Sequence, residues 1–219
     1  MTLLRLSGLF YLAIILAGLG GELALRGPLV TYGDATATGA AIRAAPALFR
    51  ASIGTDLVMA LSDVALALCL FQLFRAAAPG LALAALVFRL VQAVLIAANF
   101  MALQAAWMLA SAGQDAQALM LVSLHAHGYD LGLVFFGVNC LLMARLLTLQ
   151  PLFATRWTRA LPPAIAIAGV VYLVGSALRF FAPGLMTAFQ PAYGLTILAE
   201  GAFCVALLTA RPSARRPGA

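Results

Sequence analysis

Apolar runs of about twenty residues recur six times along this chain, and nothing constrains its fold more. Each run is long enough to cross the ~30 Å hydrocarbon core of a bilayer as a helix. A helix is also the only open-ended element that satisfies its own backbone there. The spans fall at about 5–25, 50–74, 80–111, 117–148, 162–182 and 187–210. Composition agrees: 64% of the 219 residues are hydrophobic and 9% are charged, against about 25% charged in a soluble domain. Mean hydropathy is +1.05. The expected fold is all-α, a polytopic six-helix bundle forming a single transmembrane domain over 1–219. The first run is longer than a signal-peptide core and has no nearby small-residue cleavage site, so it reads as a retained span.

Two connections are longer than turns. Residues 27–49 form the first outer loop, where Gly33 breaks the chain and Asp34 is a good N-cap. Ala35–Ala45 then reads as a short helix at the membrane interface. Residues 149–161 carry Arg156, Arg159 and Trp157 at a membrane edge.

All 13 basic residues are arginines. All but Arg89 collect near span ends, which marks topology and argues against nucleic acid as a partner. With the N-terminus cytoplasmic, the inner segments hold Arg5, Arg75, Arg145, Arg156, Arg159, Arg211, Arg215 and Arg216. The outer segments hold only Arg26, Arg43, Arg50 and Arg179. Both termini are therefore expected in the cytoplasm of a bacterial inner membrane, with the basic tail 211–219 on anionic headgroups. The lipid bilayer is the expected partner, with a small molecule, ion or lipid as ligand.

Polar residues inside the spans carry the functional question, because a charge at mid-membrane costs about 2.5–3.5 kcal/mol even on the mild insertion scale. Span two holds Asp56 and Asp63, seven apart and on one face. Arg89, Gln92 and Asn99 form a stripe on span three. Span four holds His125, His127 and Asp130, and span six Glu200. Glu22 and Arg179 lie near outer ends. Asp63, Arg89 and Glu200 fall near the same depth, where a cation between two carboxylates leaves one net charge in place of three. His125 and His127 point about 160° apart on a helix, so they cannot share a metal. His127 and Asp130 share a face, as an acid-oriented base or half a metal site.

No P-loop and no G-x-S-x-G is present. Cys69, Cys140 and Cys204 have no metal-ligand spacing and read as small buried hydrophobes. No catalytic residue, cofactor or metal site is assigned. A faint echo links "GLFYL" (8–12) with "GVVYL" (169–173), and "LSDVALALCL" with "LAEGAFCVALL" in the spans that follow.

Taken together, "GLFYL", "GDATATGAAIRAAPALFR", "LSDVALAL", "VFRLVQAVL", "LHAHGYDLGLVFFG" and "LAEGAFCVALL" resemble a bacterial domain-of-unknown-function family of six-span membrane proteins, over residues 4–210. The matching positions are Gly33, Asp34, Thr38, Phe49, Arg50, Asp63, Arg89, His125, Gly128, Phe135, Phe136, Gly137 and Glu200. His127 is additional to that pattern. The resemblance implies a six-helix inner-membrane protein and brings no reaction with it.

Three readings follow. In the first, a polar site of Asp63, Arg89, Gln92, His125, His127, Asp130 and Glu200 binds a small molecule, ion or lipid for transport or sensing. Here Asp63, Arg89 and Glu200 form the floor, His125, His127 and Asp130 a wall, and helix 35–45 the cover. In the second, an intramembrane enzyme uses His127 and Asp130. In the third, the charges only lock helices together or serve a protein partner.

Overall fold

The computed structural model describes residues 2–153 and 155–210; the expected basic tail at 211–219 lies outside the described residues. Six helical stretches are long and apolar enough to cross a membrane: Leu3–Leu29, Pro46–Phe74, Pro79–Ser111, Asp115–Leu149, Arg156–Phe181 and Pro183–Thr209. The chain is a multi-pass membrane protein. The α-helices are α1 (Leu3–Leu19), α2 (Ala35–Ala44), α3 (Pro46–Phe74), α4 (Pro79–Ser111), α5 (Asp115–Leu149), α6 (Leu161–Phe181), the single turn α7 (Met186–Phe189) and α8 (Tyr193–Thr209). No strand occurs among the described residues.

Local chemistry sets the boundaries. The Asp34 carboxylate accepts from the Ala37 amide at 2.9 Å and starts α2. Only Ala45 separates α2 from α3, which begins at Pro46, where the missing N–H has no intrahelical partner to lose. The second span therefore starts four residues before the expected position. Gly113, at φ +74°, makes the tight turn between α4 and α5. Two stretches are less regular than the sequence suggests. Span one ends in a π-helical stretch, Gly20–Arg26. Span six enters through short turns over 183–192, with Pro183 and Pro191 at their starts, before α8 runs unbroken from Tyr193. At 33 and 35 residues, α4 and α5 reach about 50 Å and must tilt or emerge from the bilayer.

The six spans form a closed up-and-down ring. Each packs against the next in sequence, and α8 returns to α1. The two ends of the ring differ. The proximal end, where α1 begins and α8 ends, is filled by an apolar core including Leu66, Leu70, Phe74, Phe136, Met143, Leu147, Phe203 and Leu207. At the distal end a second apolar cluster (Leu29, Ile42, Phe49, Leu103, Val122) fills only the corner among α2, α3, α4 and α5. Helix α2 is fixed there by Arg43, which bonds the Asp115 carboxylate and the Ala110 carbonyl.

Burial is inverted relative to a water-soluble domain. Arg26, Asp56, Asp63, Arg89, Asp130 and Glu200 are buried, whereas Leu16 is 64% and Leu198 71% exposed. Apolar side chains facing outward and charges facing inward are the arrangement that hydrocarbon as solvent dictates.

Candidate functional site

A cavity of about 330 Å³ occupies the distal half of the ring, walled by α1, α3, α4, α5, α6 and α8. Of the seven acidic residues in the chain, five line it: Glu22, Asp56, Asp63, Asp130 and Glu200. Arg26, Arg89 and Arg179 supply its positive charges, and His125 its imidazole. In a molecule this poor in charge, that concentration separates the cavity from ordinary helix packing.

The floor is an ion pair. Arg89 Nη2 lies 2.6 Å from Asp63 Oδ1, and Gln92 Nε2 donates to Asp63 Oδ2 at 3.0 Å. The guanidinium also sits 5.4 Å from the Tyr11 ring centre and 5.1 Å from that of Phe136, within cation–π range. Beside it, Tyr11 donates to Glu200 Oε2 at 3.2 Å and Tyr172 donates to Oε1. These are the tyrosines of the two echoed pentapeptides. They converge from α1 and α6 on the acid of the second echoed segment.

The upper wall is a second network. Arg26 bridges Glu22, at 2.7 and 2.9 Å, and Asp56, at 2.9 Å. The π-helical stretch runs close against α3: a Cβ on Gly21 would lie 2.2 Å from Thr55 Oγ1, beside Asp56. His125 Nε2 is 3.2 Å from Asp56 Oδ2. Distance alone pairs them, but the approach is off the N–H direction, so no aligned hydrogen bond forms. On the opposite side Arg179 Nε donates to Asp130 Oδ2 at 2.6 Å, and Ser176 donates to the Asp130 carbonyl at 2.9 Å.

The ring thus gathers Asp63, Arg89, Gln92, His125, Asp130 and Glu200 around one cavity. It leaves out His127, whose exposed ring uses Nδ1 on the Ser123 carbonyl at 2.9 Å and lies 6.2 Å from the Phe180 ring. A carbonyl only accepts, so Nδ1 carries the hydrogen. His127 and Asp130 share a face of α5 but do not bond: Asp130 turns inward to Arg179 on α6, while His127 stays on the outer edge of α5. Helix α2 is likewise not a cover: none of its residues lines the cavity, whose rim carries Tyr32 instead. Asn99, third in the polar stripe, donates to the His125 carbonyl at 3.0 Å and braces α4 on α5.

Sequence reasoning passed over Arg26, Asp56, Arg179, Tyr11 and Tyr172 as site residues. The Glu22–Arg26 spacing of four and the echoed tyrosines were the available signals. Among the described residues, no group of three or more His, Cys, Asp or Glu side chains is placed to hold a metal ion.

Three polar atoms of the lining residues have no internal hydrogen-bond partner: Arg89 Nε, Gln92 Oε1 and His125 Nε2. No curated protein matches the chain, and no solved structure does. One family model matches, over residues 6–210 and so across all six spans, and the chain belongs to that family, described as Domain of unknown function (DUF4386).

Proposed function

We propose that this protein binds a small ligand within the membrane, as a transporter subunit or a sensor of the bacterial inner membrane. Both termini are cytoplasmic in this reading, so the cavity faces the outer half of the bilayer. The observation that carries it is the cavity itself, large enough for a small molecule and lined by buried polar atoms without partners. Buried polar groups are nearly always satisfied. Leaving Gln92 Oε1 and Arg89 Nε unsatisfied beside an open space supports a site that a ligand completes.

Thiol accessibility tests the reading. The three native cysteines are buried and give a low background. Ala126→Cys and Leu133→Cys, both in the lining, are expected to react with a membrane-impermeant thiosulfonate added from the outer face. Leu146→Cys, in the proximal core, is expected to stay silent. If the two cavity positions are as silent as Leu146, the interior is dry and the binding reading fails. The rival reading is a structural lattice of charges, favoured by the pairing of all three cavity arginines with carboxylates. It predicts that dry outcome.

A further inference from the structure

We infer that the ligand is a bilayer-dwelling amphiphile with an ammonium head, entering sideways through the seam between the distal halves of α1 and α8. This rests on the binding reading above and adds the ligand class and its route.

The seam is where the ring closes, and the side-chain bonds across it lie in its proximal half. There Tyr11 packs edge-on against Phe203 at 5.6 Å, Tyr11 bonds Glu200, and Cys204 donates to the Gly8 carbonyl at 3.5 Å. Gly8 lets the helices approach so closely that a Cβ on it would lie 2.8 Å from Leu208. Further along, the facing residues change partners. Ile14, Ile15, Gly18 and Leu19 of α1 and Ile197 of α8 line the cavity. Leu19 and Ile197 are also 38% and 50% exposed. Nothing principal crosses this gap: Gly20–Arg26 packs mainly on α3, and the turns of 183–192 on α6 and α8. An apolar-edged slot therefore joins hydrocarbon to a charged interior. That is the shape of an amphiphile, with its tail in the slot and its head inside.

Charge selects the head. The cavity holds five carboxylates against three guanidiniums and one imidazole, so its acidic groups outnumber its basic ones. Every cavity arginine is paired with a carboxylate. Glu200 has phenol donors but no arginine or histidine partner among the described residues. Gln92 Oε1, a buried acceptor without a donor, lines the same space. An ammonium brings three donors and a positive charge, and so answers both. An anionic head meets the excess of like charge.

The test uses four probes on the full-length protein in phosphatidylcholine nanodiscs: butylammonium, octylammonium, octanoate and octanol, read by thermal unfolding. Octylammonium is expected to raise Tm saturably, with apparent affinity at least about tenfold above butylammonium from its extra methylenes. Octanoate and octanol are expected to give no saturable shift. Ile197→Trp, which fills the slot, should shrink the octyl-over-butyl preference to under about threefold, and Glu200→Gln should weaken both ammonium probes about tenfold. The wild-type comparison stands whether or not the variants fold.

Saturable stabilisation by octanoate in place of octylammonium overturns the cationic head and leaves the cavity reading intact. Equal affinity for both ammonium probes, or an unchanged preference in Ile197→Trp, overturns the lateral route. No binding by any probe, with Ala126→Cys still reactive to the thiosulfonate, overturns the ligand class alone. No binding with Ala126→Cys silent overturns both readings.

Discussion

At the scale of single residues, the Asp63–Arg89 pair is the sharpest test of how the interior is held together. Both side chains are almost wholly buried. Arg89→Ala leaves the Asp63 carboxylate with only the Gln92 amide, and breaking one side of a buried pair costs about 3–5 kcal/mol. Replacing both, as Asp63→Leu with Arg89→Met, should recover most of that loss, because a matched apolar pair needs no compensation. Unfolding in a detergent titration, with the four forms compared as a cycle, checks this. His127→Ala is expected to change neither stability nor probe binding beyond error, since the ring touches only its own helix backbone and Phe180. What the sequence disclosed at this scale follows from cost. A charge in an apolar run must turn inward, so Asp63, Arg89 and Glu200 were legible as interior. Beyond Arg89 with Asp63, which charge meets which was not, because the partners Arg26–Asp56 and Arg179–Asp130 lie 30 and 49 positions apart on different helices. The tyrosines escaped notice because a phenol in a span reads equally well as apolar bulk.

At the scale of elements, the α5–α6 contact depends on two glycines facing each other. A Cβ on Gly137 would lie 2.9 Å from the Gly169 carbonyl, and one on Gly169 would lie 2.8 Å from the Gly137 carbonyl. Backbone cannot yield as a side-chain tip can. Gly137→Ala is therefore expected to part the helices and cost about 1–3 kcal/mol, whereas Gly54→Ala on α3 meets nothing within 4 Å and should be neutral or slightly stabilising. Thermal melts of the two variants side by side decide it. Six spans and the capped loop helix were readable because hydropathy and Asp34 announce them. The π-helical end of span one was not. Its geometry answers to contacts across the ring, with Gly21 pressed against Thr55 and Arg26 held by Asp56, and a linear pattern contains no trace of those. For the same reason the sequence could not show that α2 docks on Asp115 and Ala110, away from the cavity.

For the whole molecule, the arginine distribution predicts the orientation. A C-terminal green fluorescent protein fusion should fluoresce, and a C-terminal alkaline phosphatase fusion should stay inactive; the reverse result would invert the bundle and turn the cavity to the cytoplasm. The cavity was legible only as an expectation that inward charges must meet. Its size and its distal position arise from how six helices close into a ring. One consequence of that ring concerns how the protein is made. Arg26 meets Asp56 across spans one and two, Arg89 meets Asp63 across two and three, and Arg179 meets Asp130 across four and five. Each carboxylate of these pairs finds its counter-charge one span away along the chain. A ribosome delivering the spans in order never leaves such a charge waiting long in the lipid, since its partner is either already inserted or next to emerge. Glu200 is the exception in kind: it arrives last, into a nearly complete wall, with the phenols of Tyr11 and Tyr172 already in place to receive it.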